Sequence, residues 1–115
     1  MLIQRQFLYL ADLNPRIGTK PGKVRPVVVL QSDLLNNIHP STVVCPLTTK
    51  IVTGVNVLRV HLKKGQAGLT RDSDVLIDQI RAIDNRRLVR SLEKVPSSIF
   101  ERVIENVLTT LDLRI

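Results

Sequence analysis

Residues that favour turns divide this 115-residue chain into short apolar runs. The first five runs span residues 7–13, 24–31, 41–49, 55–63 and 73–83, and Asn-Pro, Gly, His-Pro and Asp-Asn separate them. Apolar runs of this length between such boundaries are typical of β-strands. In the run at 55–63, apolar and polar residues alternate, as expected for a strand with one buried face. The pattern therefore predicts a sheet of five or more short strands.

The C-terminal part of the chain has a different period. Ser98 and Glu101 match a capping-box pattern, and an apolar stripe of helical spacing follows, formed by Ile99, Phe100, Val103, Ile104, Val107, Leu108 and Leu111. A shorter helix is predicted over residues 33–37, with Ser32 as its cap. One packing helix after several short strands indicates a mainly β (α+β) fold, built as a strongly bent sheet or barrel. The length favours a single domain over residues 1–115.

Composition argues against several classes of protein. Aromatic residues make up 3% of the chain and tryptophan is absent, so an aromatic sheet that stacks single-stranded bases is disfavoured. Cys45 is the single cysteine, which excludes an intramolecular disulfide and a cysteine-rich zinc site. Its position in an apolar run predicts a small core residue. The sequence has neither a membrane-spanning run nor a signal peptide, and we expect a cytoplasmic protein.

Positive charge is concentrated in the first two thirds of the chain. The net charge is +7, and residues 13–71 contain nine Lys or Arg but one acidic residue, Asp33. Residues 72–115 contain seven cations and eight acids. Phosphates neutralised by Lys and Arg release counterions, which favours association. The distribution therefore indicates a polyphosphate partner, although a basic surface without such a partner has the same composition.

Two polar residues are predicted to meet at one end of the sheet. Pro26 disfavours the helical conformation for Arg25, which places Arg25 in extended backbone at the start of a strand. Thr48 follows Pro46 at the end of another strand. A guanidinium fork can bind two phosphate oxygens while a hydroxyl contacts a third atom. Arg25 and Thr48 could thus form a phosphate clamp, but periodicity alone favours a surface arginine and a strand-end threonine.

Other catalytic patterns are weak or absent in the sequence. Even spacing places Asp72, Asp74 and Asp78 on one side of a predicted strand, an arrangement that a hard metal could use. No glycine-rich turn organises these acids, so solvated strand edges and turn caps are the preferred interpretation. His39 and His61 are interpreted as exposed or hydrogen-bonded side chains. The sequence contains no Walker loop, GxSxG elbow or HExxH motif.

Several segments together resemble one family. "YLADLNP", "RPVVVLQSD", "NNIHPSTVVCPLTT", "GLTRDSDVLIDQIRAID" and "RLVRSL" occur in the order and spacing of the MazF/PemK toxin ribonucleases of bacterial toxin-antitoxin pairs. The resemblance covers nearly the whole chain. It implies a small SH3-like β-barrel of the MazF, CcdB and Kid type with a C-terminal helix, assembled as a homodimer.

The resemblance also implies an activity. Most members cut single-stranded RNA, including mRNA, without a metal or other cofactor. Arg25 and Thr48 match the positions that the family uses at the scissile phosphate, and Ser73 and Gln79 match positions interpreted as structural or dimer-related. The segment 16–24 matches a loop that borders the RNA groove, and a cognate antitoxin would occupy that groove with an acidic tail.

From this we expect transesterification, which leaves a 2′,3′-cyclic phosphate and a 5′-hydroxyl. Unpaired bases would be held by four cationic or polar side chains of the loop and strands, Lys20, Lys23, Arg59 and His61.

This chain departs from the family pattern at two points. Gln6-Phe7 stands where many members have Gly-Asp, so the start of the sheet is expected to differ. Lys20-Pro21 stands where the loop often has Glu-Gln, so the general-base assistance given by that glutamate in some relatives must come from elsewhere in this chain or be weaker. Two other functions remain open on the sequence: a CcdB-like toxin that inhibits gyrase without cutting RNA, and a decayed member that binds nucleic acid together with an antitoxin.

Overall fold

The computed structural model describes residues 1–13 and 23–113. These residues form seven strands and one α-helix: β1 Phe7–Asp12, β2 Val24–Val29, β3 Ser41–Thr48, β4 Arg59–Leu62, β5 Ser73–Leu76, β6 Arg81–Asp84, β7 Leu88–Lys94 and α1 Ser97–Thr110. Single 3₁₀ turns cover Gln66–Gly68, Ile77–Gln79 and Asn85–Arg87. The predicted class, mainly β with one C-terminal helix, is confirmed. None of the described helices is long and apolar enough to cross a membrane.

The strands form one antiparallel sheet with the order β4-β5-β3-β2-β1-β7. Strand β3 is the longest and has two partners on one edge: its C-terminal end pairs with β5, and its N-terminal half pairs with β6. The bent sheet is barrel-like, but its outer strands β4 and β7 are not paired with each other within the described residues. Strand β3 is therefore the element that joins all parts of the sheet.

The structure corrects three predictions of secondary structure. The strand predicted over 73–83 is divided into β5 and β6, because the chain makes a 3₁₀ turn at Ile77–Gln79. The segment 33–37 forms turns instead of a helix, although the Ser32 hydroxyl does accept a hydrogen bond from the Leu34 amide at 3.1 Å. Helix α1 begins directly after Pro96 and has no side-chain cap, so the predicted capping box is not formed.

Two apolar clusters fill the two faces of the sheet. The larger lies under α1, where Phe100, Val103 and Val107 pack against residues of β1 to β5, among them Leu47 and Val75. The smaller lies on the other face and includes Tyr9, Val27, Val29, Val44 and Ile83. Strand β2 contributes to both clusters because its successive side chains point to opposite faces.

Cys45 belongs to the larger cluster, and its burial raises the pKa of the thiol to about 12. The prediction that this cysteine is a core residue is confirmed.

Candidate active site

The pairing of β2 with β3 brings Arg25 and Thr48 to the same end of the sheet. In this antiparallel ladder Val27 lies opposite Pro46 and Val28 opposite Cys45. Two residues further along each strand, the same register places Arg25 opposite Thr48. Neither Pro26 nor Pro46 can donate a backbone hydrogen bond, so the ladder is weakened where these two side chains emerge. As predicted, Arg25 and Thr48 lie close together, and both line one cavity.

This cavity, hereafter the groove, has a volume of about 500 Å³ and is strongly cationic. Its described lining consists of Lys23, Arg25, Lys50, Arg59 and Arg81, the polar side chains of Thr48 and Gln79, and the apolar residues Leu13, Pro46 and Leu76. No carboxylate is among these described lining residues. Five cations facing one concave surface create a positive potential that attracts an anionic backbone.

The hydroxyl of Thr48 has one hydrogen bond that orients it. The Oγ1 atom accepts a hydrogen bond from the Lys50 amide at 3.1 Å. A hydroxyl has one proton to donate in addition to its acceptor lone pairs. With the Lys50 amide on a lone pair, the Thr48 proton is left available for an anion in the groove.

Thr48 is also part of a polar row that crosses the sheet. Thr48 lies opposite Asp74 of β5, and Asp74 lies opposite His61 of β4. Residues directly opposite one another in antiparallel strands present their side chains on the same face, about 5 Å apart. Extended through Arg25, the row therefore crosses four neighbouring strands. On the other face, the neighbouring residues Leu47, Val75 and Val60 lie in the core.

Asp74 is the buried member of this row, and its carboxylate has partners on both oxygens. Oδ2 lies 3.2 Å from Nη1 of Arg59, and Oδ1 lies 2.8 Å from Nδ1 of His61. The other ring nitrogen of His61, Nε2, lies 3.5 Å from a carboxylate oxygen of Asp72. Asp72 is exposed, and its pKa is lowered by a hydrogen bond from the Lys64 amide and by the neighbouring His61.

The structure does not bring together the three acids that even spacing had placed on one side. Asp74 lies in β5, whereas Asp78 lies in the 3₁₀ turn that follows it, because the strand ends at Leu76. Among the described residues, no three His, Cys, Asp or Glu side chains are grouped so that they could hold a metal ion. The prediction that Asp72, Asp74 and Asp78 share one strand face is therefore wrong.

The four predicted RNA-binding residues have different locations. Lys23 and Arg59 line the groove. His61 lines a neighbouring cavity of about 340 Å³, which also includes Arg59 and Asp74. Lys20 lies outside the described residues.

The motif residues Ser73 and Gln79 also differ from each other. Ser73 is buried, and its hydroxyl donates to the Arg71 carbonyl at 3.1 Å, as a structural residue does. Gln79 is exposed and lines the groove.

Lys50, Arg81 and Asp74 also belong to this region, although the sequence did not indicate them as site residues. Arg81 reaches the groove because the 3₁₀ turn at Ile77–Gln79 redirects the chain before β6. Asp74 follows a buried serine and precedes a buried valine, so alternation alone gives no sign that its carboxylate is enclosed. The cross-strand pairing with His61 is the signal that identifies it.

Comparison with known proteins gives consistent matches over most of the chain. The family described as "PemK-like, MazF-like toxin of type II toxin-antitoxin system" matches residues 4–111. The chain is 34% identical over 113 residues to Endoribonuclease EndoA of Bacillus subtilis (strain 168), with 98% of this chain and 97% of that protein covered.

Solved structures support the same assignment at the level of the fold. The MazE-MazF crystal structure from Deinococcus radiodurans has a TM-score of 0.83 at 23% identity, with 99% of each chain covered. A mycobacterial endoribonuclease in complex with its cognate antitoxin has a TM-score of 0.77 at 20% identity, with 96% of each chain covered. The resemblance seen in the sequence is confirmed, and the chain belongs to the PemK-like, MazF-like toxin family of type II toxin-antitoxin systems.

Proposed function

We propose that this protein is a toxin that cleaves single-stranded RNA as an endoribonuclease, with mRNA as the expected substrate. The observation that carries the proposal is the groove itself: Arg25 and Thr48 lie in a cavity with four further cations and no carboxylate among its described lining. The 34% identity to a protein named as an endoribonuclease supports the same activity. A cytoplasmic location is part of this proposal, because mRNA occurs there.

The proposed reaction is an in-line transesterification. The 2′-oxygen attacks the adjacent phosphorus, the bond from phosphorus to the 5′-oxygen breaks, and the products are a 2′,3′-cyclic phosphate and a 5′-hydroxyl. The 2′-hydroxyl loses its proton, and the 5′-oxygen gains one as it leaves. Negative charge grows on the non-bridging oxygens of the phosphorane, and donors aimed at that charge lower the barrier.

Arg25 is assigned to charge stabilisation and Thr48 to alignment. A guanidinium keeps its proton in a protein, so Arg25 donates hydrogen bonds and does not act as a base. The Thr48 hydroxyl, held by the Lys50 amide, donates to a phosphate oxygen and fixes the phosphate in line with the attacking 2′-oxygen. Lys23, Lys50, Arg59 and Arg81 bind the remaining backbone, and Lys20, which lies outside the described residues, is proposed to join them.

The proposed partners are a cognate antitoxin and a second copy of this chain. An acidic antitoxin tail would bind the same cations as RNA and block the groove, and the complexes of related toxins with their antitoxins support this. Leu34 and Ile38, in the turns after β2, are 85% and 83% exposed. Two large apolar side chains this exposed in one turn support a homodimer contact.

Incubation of the purified protein with mixed-sequence single-stranded RNA in EDTA tests the proposal. We expect cuts at a short sequence, no cuts with Arg25→Ala, and wild-type cutting with Arg90→Ala, a matched change at an exposed arginine of β7. Wild-type cutting by Arg25→Ala would contradict the assignment.

RNA that stays intact in EDTA but is cut after Mg²⁺ addition would indicate metal-dependent chemistry. RNA intact under both conditions would favour one of the two alternatives left by the sequence. Growth arrest on expression would then indicate a gyrase inhibitor, and RNA binding without arrest would indicate a decayed member.

A further inference from the structure

Asp74 lies at the centre of the polar row without contacting the groove. Its side chain is 3% exposed, and both carboxylate oxygens have partners on β4. A buried carboxylate is costly to desolvate and persists where hydrogen-bonded cations compensate it. Asp74 is directly opposite Thr48 on one side and His61 on the other. It therefore joins the phosphate-facing strands to the edge strand.

Arg59 is the link between Asp74 and the groove. Its Nη1 atom donates to the Lys50 carbonyl at 2.8 Å and to Oδ2 of Asp74 at 3.2 Å. Within the described part of the chain, its Nη2 and Nε atoms make no hydrogen bond, and the side chain is 22% exposed. The guanidinium is thus anchored through one nitrogen, and the rest of its fork is available to an anion in the groove.

His61 determines how Asp74 holds that arginine. Because Nδ1 of His61 lies 2.8 Å from Oδ1, only Oδ2 of the carboxylate remains for Arg59. A carboxylate with both oxygens free would close on the guanidinium as a bidentate pair and occupy the donors that an RNA phosphate needs. The nearby Asp72, on Nε2, restrains the ring from the other side.

We propose that Asp74 is a positioning residue of the groove, which acts on RNA binding through Arg59 while His61 occupies its second oxygen. The inference rests on the proposed function. Asp74 does not contact the substrate; it fixes the direction of the Arg59 fork. Without Asp74, Arg59 keeps only its hydrogen bond to the Lys50 carbonyl, so it loses more side-chain freedom when RNA binds, and binding weakens.

The substitution Asp74→Asn tests the proposal because it keeps the shape of the side chain. The amide has one acceptor oxygen in place of two and carries no charge, so its hydrogen bond to Arg59 is weaker than that of the carboxylate. We expect KM for a short RNA substrate to rise about tenfold, with kcat within about twofold of wild type. Arg25 and Thr48 also line a second, smaller cavity, and Arg59 is not among its described lining residues. Arg59 is therefore assigned to RNA binding and not to the reacting phosphate, so KM should change and kcat should not.

A double-mutant cycle separates positioning from a general structural effect. Arg59→Gln should raise KM about as much as Asp74→Asn, and the double variant should be no worse than either single variant. The matched control is Asp84→Asn at the end of β6, which weakens the exposed pair of Asp84 with Arg86 in the following 3₁₀ turn and should leave KM unchanged. A KM increase in the double variant equal to the product of the two single effects would overturn the proposal. So would a lower melting temperature for Asp74→Asn with unchanged KM.

A binding measurement separates the role of Asp74 from the cleavage activity. Binding of the same variants to a 2′-O-methyl oligonucleotide, followed by fluorescence anisotropy, should show the same tenfold ratios in Kd. This measurement tests the inference even if the wild type does not cleave RNA, which would contradict only the proposed function; a wild type that does not bind the oligonucleotide overturns both.

If Asp74→Asn does not fold, the substitution His61→Ala tests the proposal instead. It should raise KM about threefold in the wild-type background and not at all beside Arg59→Gln. An unchanged KM in both backgrounds, or an equal increase in both, would overturn the proposal.

Discussion

Replacement of Thr48 by valine removes one hydroxyl from the groove and keeps the β-branched shape of the side chain. The Oγ1 atom accepts one hydrogen bond, from the Lys50 amide at 3.1 Å, and Thr48 is only half-buried. In the variant this exposed amide can bond to water instead. The change should therefore cost less than about 1 kcal/mol of unfolding free energy.

The expected effect on catalysis is much larger than the effect on stability. Thr48 is assigned one of the donors that contact the phosphate, and removal of one such donor typically costs about 10²- to 10³-fold in kcat, or about 2.7–4 kcal/mol. Because the lost interaction is strongest in the transition state, kcat should fall and KM should change little. Thr48→Ser keeps the hydroxyl and should retain most of the activity.

Single-turnover cleavage of a labelled RNA, with enzyme in excess, measures this effect directly, and thermal melting measures stability in parallel. The matched control is Thr109→Val on α1. The Thr109 hydroxyl donates to the Glu105 carbonyl at 3.0 Å, and Thr109 is not among the described residues that line the groove. That control should lose no activity. A Thr48→Val rate within about threefold of wild type would refute the reasoning, as would a loss of rate explained by unfolding.

Three further predictions follow from particular residues. Cys45, with a thiol pKa of about 12 and no exposed surface, should resist iodoacetamide at pH 8 in the native protein and react after unfolding; rapid native alkylation would contradict its burial. Gln6 has a φ of 78°, a conformation that strains any residue except glycine. Gln6→Gly and Gln6→Ala both lose the side-chain hydrogen bonds to Val95 and Ser97, so the glycine variant should be about 1 kcal/mol more stable in chemical denaturation. Equal stabilities of the two variants would count against this. No carboxylate lies in the described lining of the groove, and none occurs between residues 13 and 32 of the sequence. If hydroxide therefore takes the 2′-proton, kcat/KM should rise about tenfold per pH unit from pH 6 to pH 8. A plateau of kcat/KM in that range would show that a protein group acts as the base.

The strand-end positions of Arg25 and Thr48 were predictable from local sequence, whereas their proximity depends on the register between β2 and β3. Pro26 and Pro46 each fix the backbone beside a strand end, and one antiparallel register then brings the two side chains to the same edge. The concentration of positive charge in residues 13–71 was also visible in the sequence, and this segment contributes four of the five cations that line the groove; Arg81 is the fifth.

The network around Asp74 was not predictable, because it depends on pairing between strands that are far apart in sequence. Alternation placed Asp72, Asp74 and Asp78 on one face, but the 3₁₀ turn at Ile77–Gln79 interrupts the period. The departure at Gln6 was predicted to alter the start of the sheet. That difference from other members stays a prediction; in this structure Gln6 takes a left-handed conformation, and its side-chain amide donates to the Val95 carbonyl at 2.8 Å.

Cleavage of an RNA with a single 2′-deoxynucleotide at the mapped cut position tests the central claim most directly. Attack by the 2′-oxygen predicts that the all-RNA substrate yields a 2′,3′-cyclic phosphate in EDTA and that the single deoxy substitution abolishes cutting at that bond while binding is retained. Cutting of the deoxy-substituted bond at the all-RNA rate would mean that water is the nucleophile. That result would contradict the proposed roles of Arg25 and Thr48 in transesterification.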